Sequence, residues 1–136
     1  MAEAPLFGTR ELYDRLGEAL NDDPTWLKKS RDLDYTMTHV YTAPIDRVFN
    51  FRFDKGRLVD ITDAGIDAEI TSDFVLTATP EVWEKVLVSQ QLGAQIALVT
   101  GKIKVKGKLG ALLKNMSAFN YLLEVLCGLE PVLSRV

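Results

Sequence analysis

The side chains that most often carry out acid, base or nucleophilic chemistry are scarce in this sequence. Its 136 residues include one histidine, His39, and one cysteine, Cys127. A Ser-His-Asp or Cys-His device needs an imidazole at a cleft, within hydrogen-bonding distance of a nucleophile. His39 instead stands in an alternating run of Tyr and Met residues, and Cys127 lies in an apolar stretch. We interpret His39 as a structural or pocket-lining residue and Cys127 as a small buried side chain, with acid-base chemistry at His39 as the weaker alternative.

The sequence also lacks the spacing of known metal and phosphate sites. One histidine and one cysteine leave mainly carboxylates as ligands, and Asp60, Asp63 and Asp67 do not follow the pattern of a calcium loop. The glycines between residues 101 and 110 lack both the Lys-Ser/Thr ending of a P-loop and the Rossmann spacing. The sequence therefore predicts no metal site, no cofactor and no enzyme with chemistry of its own.

Charge and composition narrow the class of protein further. The chain has 16 Lys and Arg against 19 Asp and Glu, a formal net charge of -3, and 47% hydrophobic residues. A net negative charge argues against non-specific nucleic-acid binding. The length suits one domain, 1–136, with its own core, and a single cysteine excludes an internal disulfide. The N-terminus has no positive stretch followed by an apolar one, so we expect a cytoplasmic protein.

Lysine is concentrated in one short segment. Lys102, Lys104 and Lys106 alternate with apolar residues, which puts them on one face of a strand, and Lys108 follows after a glycine. One interpretation is a solvated edge strand that the lysines protect from pairing with other sheets. The other is a surface that attracts anions, either lipid headgroups or a phosphate-bearing ligand. The sequence alone leaves both interpretations open.

Hydrophobic periodicity predicts the elements that position these residues. Apolar spacings of three and four predict two short helices within about 9–33 and further helices starting near residues 80, 94 and 109. Alternation with a period of two predicts five strands, over about 35–42, 47–53, 57–62, 71–79 and 102–106. This order predicts an α+β fold in which helices cover a five-stranded, mostly antiparallel sheet.

Apolar residues exceed what contact with one sheet requires. In the helix predicted over 109–127, Tyr121, Leu122 and Val125 widen an already continuous apolar stripe, and another apolar stretch follows Pro131. These residues could simply pack against each other in the core. A cavity for an apolar molecule, or contact with a second copy of the chain, would also absorb the surplus.

Two segments of the chain resemble the sterol carrier protein 2-like lipid-binding family. They are Asp73–Trp83 and Leu98–Leu109, and the second is the more specific: a short helix, a glycine, a strand with alternating lysines and an apolar helix. A weaker resemblance covers about residues 30–125. It implies a non-enzymatic carrier or presenter of fatty acids, acyl-CoA or sterols, with a hydrophobic tunnel between the sheet and the helices.

The resemblance also implies which residues line that tunnel. At matching positions they belong to the fifth strand and the next helix: Ile103, Val105, Leu109, Leu112, Leu113 and Met116. Alternation and helical spacing add further residues: Phe51, Phe53, Phe74, Leu76, Ile96, Leu98, Phe119 and Leu123. We expect a hydrophobic small molecule as the partner, with transient membrane contact. The alternatives are an interaction module that forms a homodimer, or an accessory subunit that presents a hydrophobic substrate to a separate enzyme.

Overall fold

A computed structural model describes residues 4–69 and 71–133 of the protein. Its first two helices are α1, Arg10–Asn21, and α2, Pro24–Lys29. The Asp23 carboxylate caps α2, because it accepts hydrogen bonds from the backbone N–H groups of Thr25 and Trp26 at 2.9 and 3.3 Å. Thr9 occupies the N-cap position of α1, but its hydroxyl donates to the Leu6 carbonyl and leaves the helix uncapped by a side chain.

Five strands form one mixed sheet. They are β1, Thr36–Tyr41; β2, Arg47–Asp54; β3, Arg57–Gly65; β4, Phe74–Ala78; and β5, Lys104–Lys106. Their order is β3-β2-β1-β4-β5, so β3 and β5 are the edge strands. The β1–β4 pair is parallel and the other three pairs are antiparallel. The predicted α+β fold with a mostly antiparallel sheet is confirmed.

Three more helices complete the fold: α3, Pro80–Leu87; α4, Ala94–Val99; and α5, Leu109–Gly128. The Thr79 hydroxyl oxygen caps α3 by accepting a hydrogen bond from the Val82 N–H. After α4, Gly101 adopts a positive φ of 76°, and the Ile103 N–H donates to the Ala97 carbonyl at 3.0 Å. This bond keeps the chain against α4, so β5 begins two residues later than predicted.

The helices pack on one face of the sheet, which is strongly aromatic. Met37 and Tyr41 of β1 and the phenylalanines of β2 are buried there and form one core with α1, α3 and α5. The other face holds the residues that alternate with this set, among them the pairs Thr38–Asn50 and Val40–Val48. The amide of Asn50 donates to the Thr38 hydroxyl oxygen at 2.7 Å on that face. A ligand bound between the sheet and the helices would therefore have to share that space with the aromatic side chains of the core.

Segments from the two ends of the chain lie side by side. Leu6 and Val132 form a parallel β-bridge. The Phe7 N–H donates to the Val132 carbonyl at 2.8 Å, and the Val132 N–H donates to the Pro5 carbonyl at 3.0 Å. Among the helices within residues 4–69 and 71–133, none is long and apolar enough to cross a membrane.

Candidate ligand-binding site

Two grooves flank the first half of α5. The first, of about 530 Å³, lies between α4 and α5 and is lined by Gln95, Leu98, Val99, Leu113, Met116, Ser117 and Asn120. The second, of about 520 Å³, lies beside β1, β4 and the start of α5 and is lined by Tyr35, Ser72, Asp73, Phe74, Gly107, Lys108 and Ala111. Helical spacing places Ala111 and Leu113 on different sides of α5. Both volumes are in the range of small-molecule sites.

The packing of α5 explains why the grooves lie at its first half. In the second half, Phe119, Leu122, Leu123 and Leu126 are buried in the core and hold the helix in place. In the first half, Leu113 is 71% exposed, and the helix begins without a side-chain cap. The anchored second half thus positions the first half of α5, where the protein leaves apolar surface such as Leu113 uncovered.

The mouth of the first groove carries an exposed apolar patch. Val99 is 73% exposed and Leu113 is 71% exposed, and both line this groove. Ile96, which is 58% exposed, lies three residues before Val99 on the same face of α4. We call Ile96, Val99 and Leu113 the rim.

The second groove combines an apolar wall with polar groups. The Tyr35 ring packs edge-on against Phe74, with ring centroids 4.8 Å apart, and its hydroxyl lies 3.5 Å from the Asn115 amide nitrogen. The Asp73 carboxylate accepts a hydrogen bond from the Thr36 N–H at 3.0 Å. Lys108 adds an ammonium group to the lining. Such a wall suits a ligand with an apolar body and a polar end.

A profile of the SCP-2 sterol transfer family matches residues 18–120, which include β1 to β5 and the first half of α5. The chain belongs to the SCP-2 sterol transfer family. A search of curated proteins finds no significant match. The family match covers the strands and helices that form both grooves.

Solved structures with the sterol carrier fold superpose on this family member. The crystal structure of sterol carrier protein 2 aligns with a TM-score of 0.77 at 20% identity, over 89% of this chain and 97% of the other. A conserved hypothetical protein from Thermus thermophilus also gives 0.77 at 20% identity, over 100% and 97%. Apo sterol carrier protein 2 from Yarrowia lipolytica gives 0.54 at 19% identity, over 91% and 94%. At these identities the similarity shows the fold.

His39 lies in the core of this SCP-2 family member and lines neither groove. Its Nδ1 is 2.7 Å from the Tyr13 hydroxyl, which in turn lies 3.0 Å from the Tyr41 hydroxyl. Its ring stacks on Trp83 with centroids 5.0 Å apart. Burial lowers the pKa of His39 to about 3 and raises the pKa of Tyr13 and Tyr41, so all three side chains are neutral near pH 7. This placement agrees with a structural role.

The surroundings of Cys127 disfavour its nucleophilic form. The Cys127 thiol donates to the Val86 carbonyl at 3.0 Å, and its partial burial raises the pKa of the thiol. A higher pKa leaves less thiolate, which is the nucleophilic form. Within the part of the chain that the structure describes, no group of three or more His, Cys, Asp or Glu residues is arranged to hold a metal ion.

The predicted tunnel residues occupy different surroundings. Six are buried in the core and line neither groove: Phe51, Phe53, Leu76, Ile103, Phe119 and Leu123. Four line a groove: Leu98, Leu113 and Met116 the first, and Phe74 the second. Ile96 is exposed at the rim, and Val105 packs partly buried against the core. Leu109 and Leu112 belong to α5, but their side chains lie outside the described part of the chain.

Only two of the four predicted surface lysines belong to a strand. Lys104 and Lys106 pair with Thr77 and Val75 of β4 and project from the sheet face opposite the helices. Lys102 lies before β5, so it does not share the strand face that alternation predicts. Lys108 directly precedes α5. The difference arises because the chain stays hydrogen-bonded to α4 through Ile103.

Sequence reasoning missed several lining residues. Val99 could have been found from its spacing to Ile96, and Tyr35 from its alternation with Met37. Ser117 and Asn120 of the first groove carry no apolar signal, because they are ordinary polar residues for an exposed helix face.

Proposed function

We propose that this protein binds a hydrophobic molecule, such as a fatty acid, an acyl-CoA or a sterol, and transfers or presents it without changing it chemically. Membership of the SCP-2 sterol transfer family supports the class of ligand. The two grooves along the first half of α5 support the place of binding.

The uncovered apolar surface of α5 is the observation that carries this proposal. Leu113 leaves 71% of its surface exposed, and Met116 is only partly buried beside it. Exposed apolar area is unfavourable in water, so a bound apolar chain that covers these residues gains free energy from both surfaces. The ligand would therefore cover the first half of α5, as the core already covers the second half.

The free energy gained by burying an acyl chain is large enough for this protein to carry a lipid. At about 0.8 kcal/mol per buried methylene, an acyl chain of about sixteen carbons gains on the order of 12 kcal/mol. Immobilising the ligand removes much of this gain, which leaves affinities from about micromolar to about nanomolar. For a ligand in the second groove, polar groups such as Tyr35 and Lys108 would hold its polar end.

Displacement of a fluorescent fatty acid tests the proposal. We expect saturable binding of the probe and competition by unlabelled fatty acid, sterol or acyl-CoA, with native mass spectrometry giving the stoichiometry. The absence of saturable binding, together with the absence of lipid in organic extracts of the purified protein, would refute it. Competition by only one ligand class would define the specificity.

A further inference from the structure

Charge is divided unevenly along the chain. Residues 86–123 contain five lysines and no Asp, Glu or Arg. The remaining residues contain 11 Lys and Arg against 19 Asp and Glu, so the segment carries +5 and the rest of the chain -8. This segment includes α4, β5 and most of α5. The rim therefore belongs to the positive part of an otherwise acidic protein.

Two of these lysines are close to rim residues in the sequence. Lys102 follows Val99 by three residues at the end of α4, and Lys114 directly follows Leu113 on α5. Both lysines are exposed. Among the ion pairs within residues 4–69 and 71–133, neither lysine takes part. In the part of the chain that the structure describes, exposed lysines outside these ion pairs thus flank the rim residues in sequence.

We propose that the rim, together with Lys102 and Lys114, docks this protein on an anionic lipid bilayer. Apolar side chains that enter the headgroup region and lysines that contact anionic headgroups are the two contributions that hold peripheral proteins on membranes. The charge of the segment is complementary to such a surface. Three side chains are too few for a stable protein interface, which buries about 800 Å² on each partner.

Docking by this surface places the first groove against the bilayer, because Val99 and Leu113 belong to both. A ligand could then move between the bilayer and the groove without crossing bulk water. This consequence rests on the proposed function, whereas the docking itself does not require a ligand.

Charge reversal with a matched control tests the docking surface. Binding is measured by co-sedimentation with vesicles of phosphatidylcholine alone or mixed with phosphatidylserine. We expect the wild-type protein to prefer the anionic vesicles and the double variant Lys102→Glu/Lys114→Glu to bind them about thirtyfold less tightly or worse. The control Lys104→Glu/Lys106→Glu has the same net charge but alters the opposite sheet face, so it should lose far less.

A second pair of variants tests the apolar contribution. Val99→Ser should weaken binding to anionic vesicles several-fold, because the 73% exposed side chain no longer enters the interface. Val59→Ser is the control, since Val59 is 51% exposed on β3 at the other edge of the sheet. Thermal unfolding of all variants verifies that each is folded.

Several outcomes would overturn the docking proposal. They are equal losses for the two lysine pairs, no preference for phosphatidylserine, no sedimentation of the wild-type protein, or a wild-type dimer in light scattering that Val99→Ser dissociates. Displacement of a fluorescent fatty acid tests the proposed function separately from membrane docking. The Lys102→Glu/Lys114→Glu protein should retain fatty-acid binding in solution, and failure of the wild-type protein to bind the fatty acid would refute carriage and leave docking intact.

Discussion

A neutral histidine is built into the aromatic core. The His39 ring is enclosed by Trp83, Phe51 and Tyr13, with centroids between 5.0 and 5.4 Å away. Its Nδ1 contacts the Tyr13 hydroxyl, whereas its Nε2 has no hydrogen-bond partner in the described part of the chain. A proton added to this fully buried ring would create a charge among aromatic side chains, where its desolvation is costly. The folded protein therefore resists protonation of His39.

His39 should make the stability of the protein depend on pH. The pKa of His39 falls from 6.5 to about 3 on burial, so below about pH 6.5 the unfolded chain binds a proton that the folded chain does not. The free energy of unfolding then decreases as the pH falls, by about 2 kcal/mol between pH 7 and about pH 5 from this group. Urea denaturation of the wild-type protein and His39→Phe at both pH values isolates the contribution, because the phenyl ring does not titrate. Identical pH dependence in the two proteins would contradict this assignment.

Leu113 should affect ligand binding more than stability. Leu113→Glu puts a carboxylate into the first groove, where it would face the apolar ligand, and we expect fatty-acid affinity to fall at least about tenfold. The free energy of unfolding should change by no more than about 0.5 kcal/mol, because the side chain is already 71% exposed. Leu133→Glu is the matched control, since Leu133 is 60% exposed and lines neither groove. Fluorescent displacement and thermal unfolding measure both effects, and equal affinities for the two variants would remove Leu113 from the site.

At the scale of elements, the connection from β5 to α5 depends on a glycine. A Cβ atom on Gly107 would lie 2.6 Å from a ring carbon of Phe74 and 3.0 Å from the Asp73 carbonyl oxygen. This close approach lets the chain turn from the edge strand into α5 while Phe74 stays in the wall of the second groove. A side chain at this position would have to displace the Phe74 ring or the Asp73 backbone just before β4.

Two alanine substitutions should therefore have opposite effects. Gly107→Ala should destabilise the protein by about 1–3 kcal/mol, because the added methyl overlaps Phe74. Gly110→Ala, in the first turn of α5, meets nothing within 4 Å and should equal or exceed the wild-type stability, since alanine favours helix. Urea denaturation measures both. Loss of stability in Gly110→Ala, or none in Gly107→Ala, would show that the steric interpretation is wrong.

Helices and strands with strong hydrophobic periodicity could be predicted from the sequence, whereas the residues at which they end could not. β2 alternates three phenylalanines with polar residues, and its prediction agrees with the structure to within one residue. β3 extends to Gly65, three residues beyond the prediction, because its backbone continues to pair with β2 after the apolar alternation stops. A backbone ladder at a sheet edge requires no apolar side chains, so periodicity cannot show where it ends.

The candidate site could be predicted only in part, for a related reason. Alternation correctly indicates that Phe51 and Phe53 face inward, but it cannot distinguish a residue packed in the core from one that lines a groove. Whether a side chain lines an opening depends on how far α5 stands from the sheet and from α4. That distance follows from the packing of Phe119 and Leu123 far along the helix, which no local pattern contains.

At the scale of the whole molecule, ligand binding should stabilise one side more than the other. A ligand at about a hundred times its dissociation constant adds about 2.7 kcal/mol to the free energy of unfolding. Hydrogen exchange should slow mainly in α4 and in the first half of α5, which form the grooves, and little in β2 and β3. Mass spectrometry of amide exchange with and without fatty acid measures this. Protection confined to β2 and β3 would place the ligand elsewhere.

The bridge between Leu6 and Val132 has a consequence for how the chain could be rebuilt. Because residues 5–7 and 132 are hydrogen-bonded neighbours, a short covalent linker could join these two regions without moving any helix or strand. New ends could then be opened at the exposed turn around Lys55, on the side of the sheet away from β5. A circularly permuted protein of this kind would keep the first groove in one uninterrupted stretch of polypeptide, whereas Tyr35 of the second groove would follow the new linker.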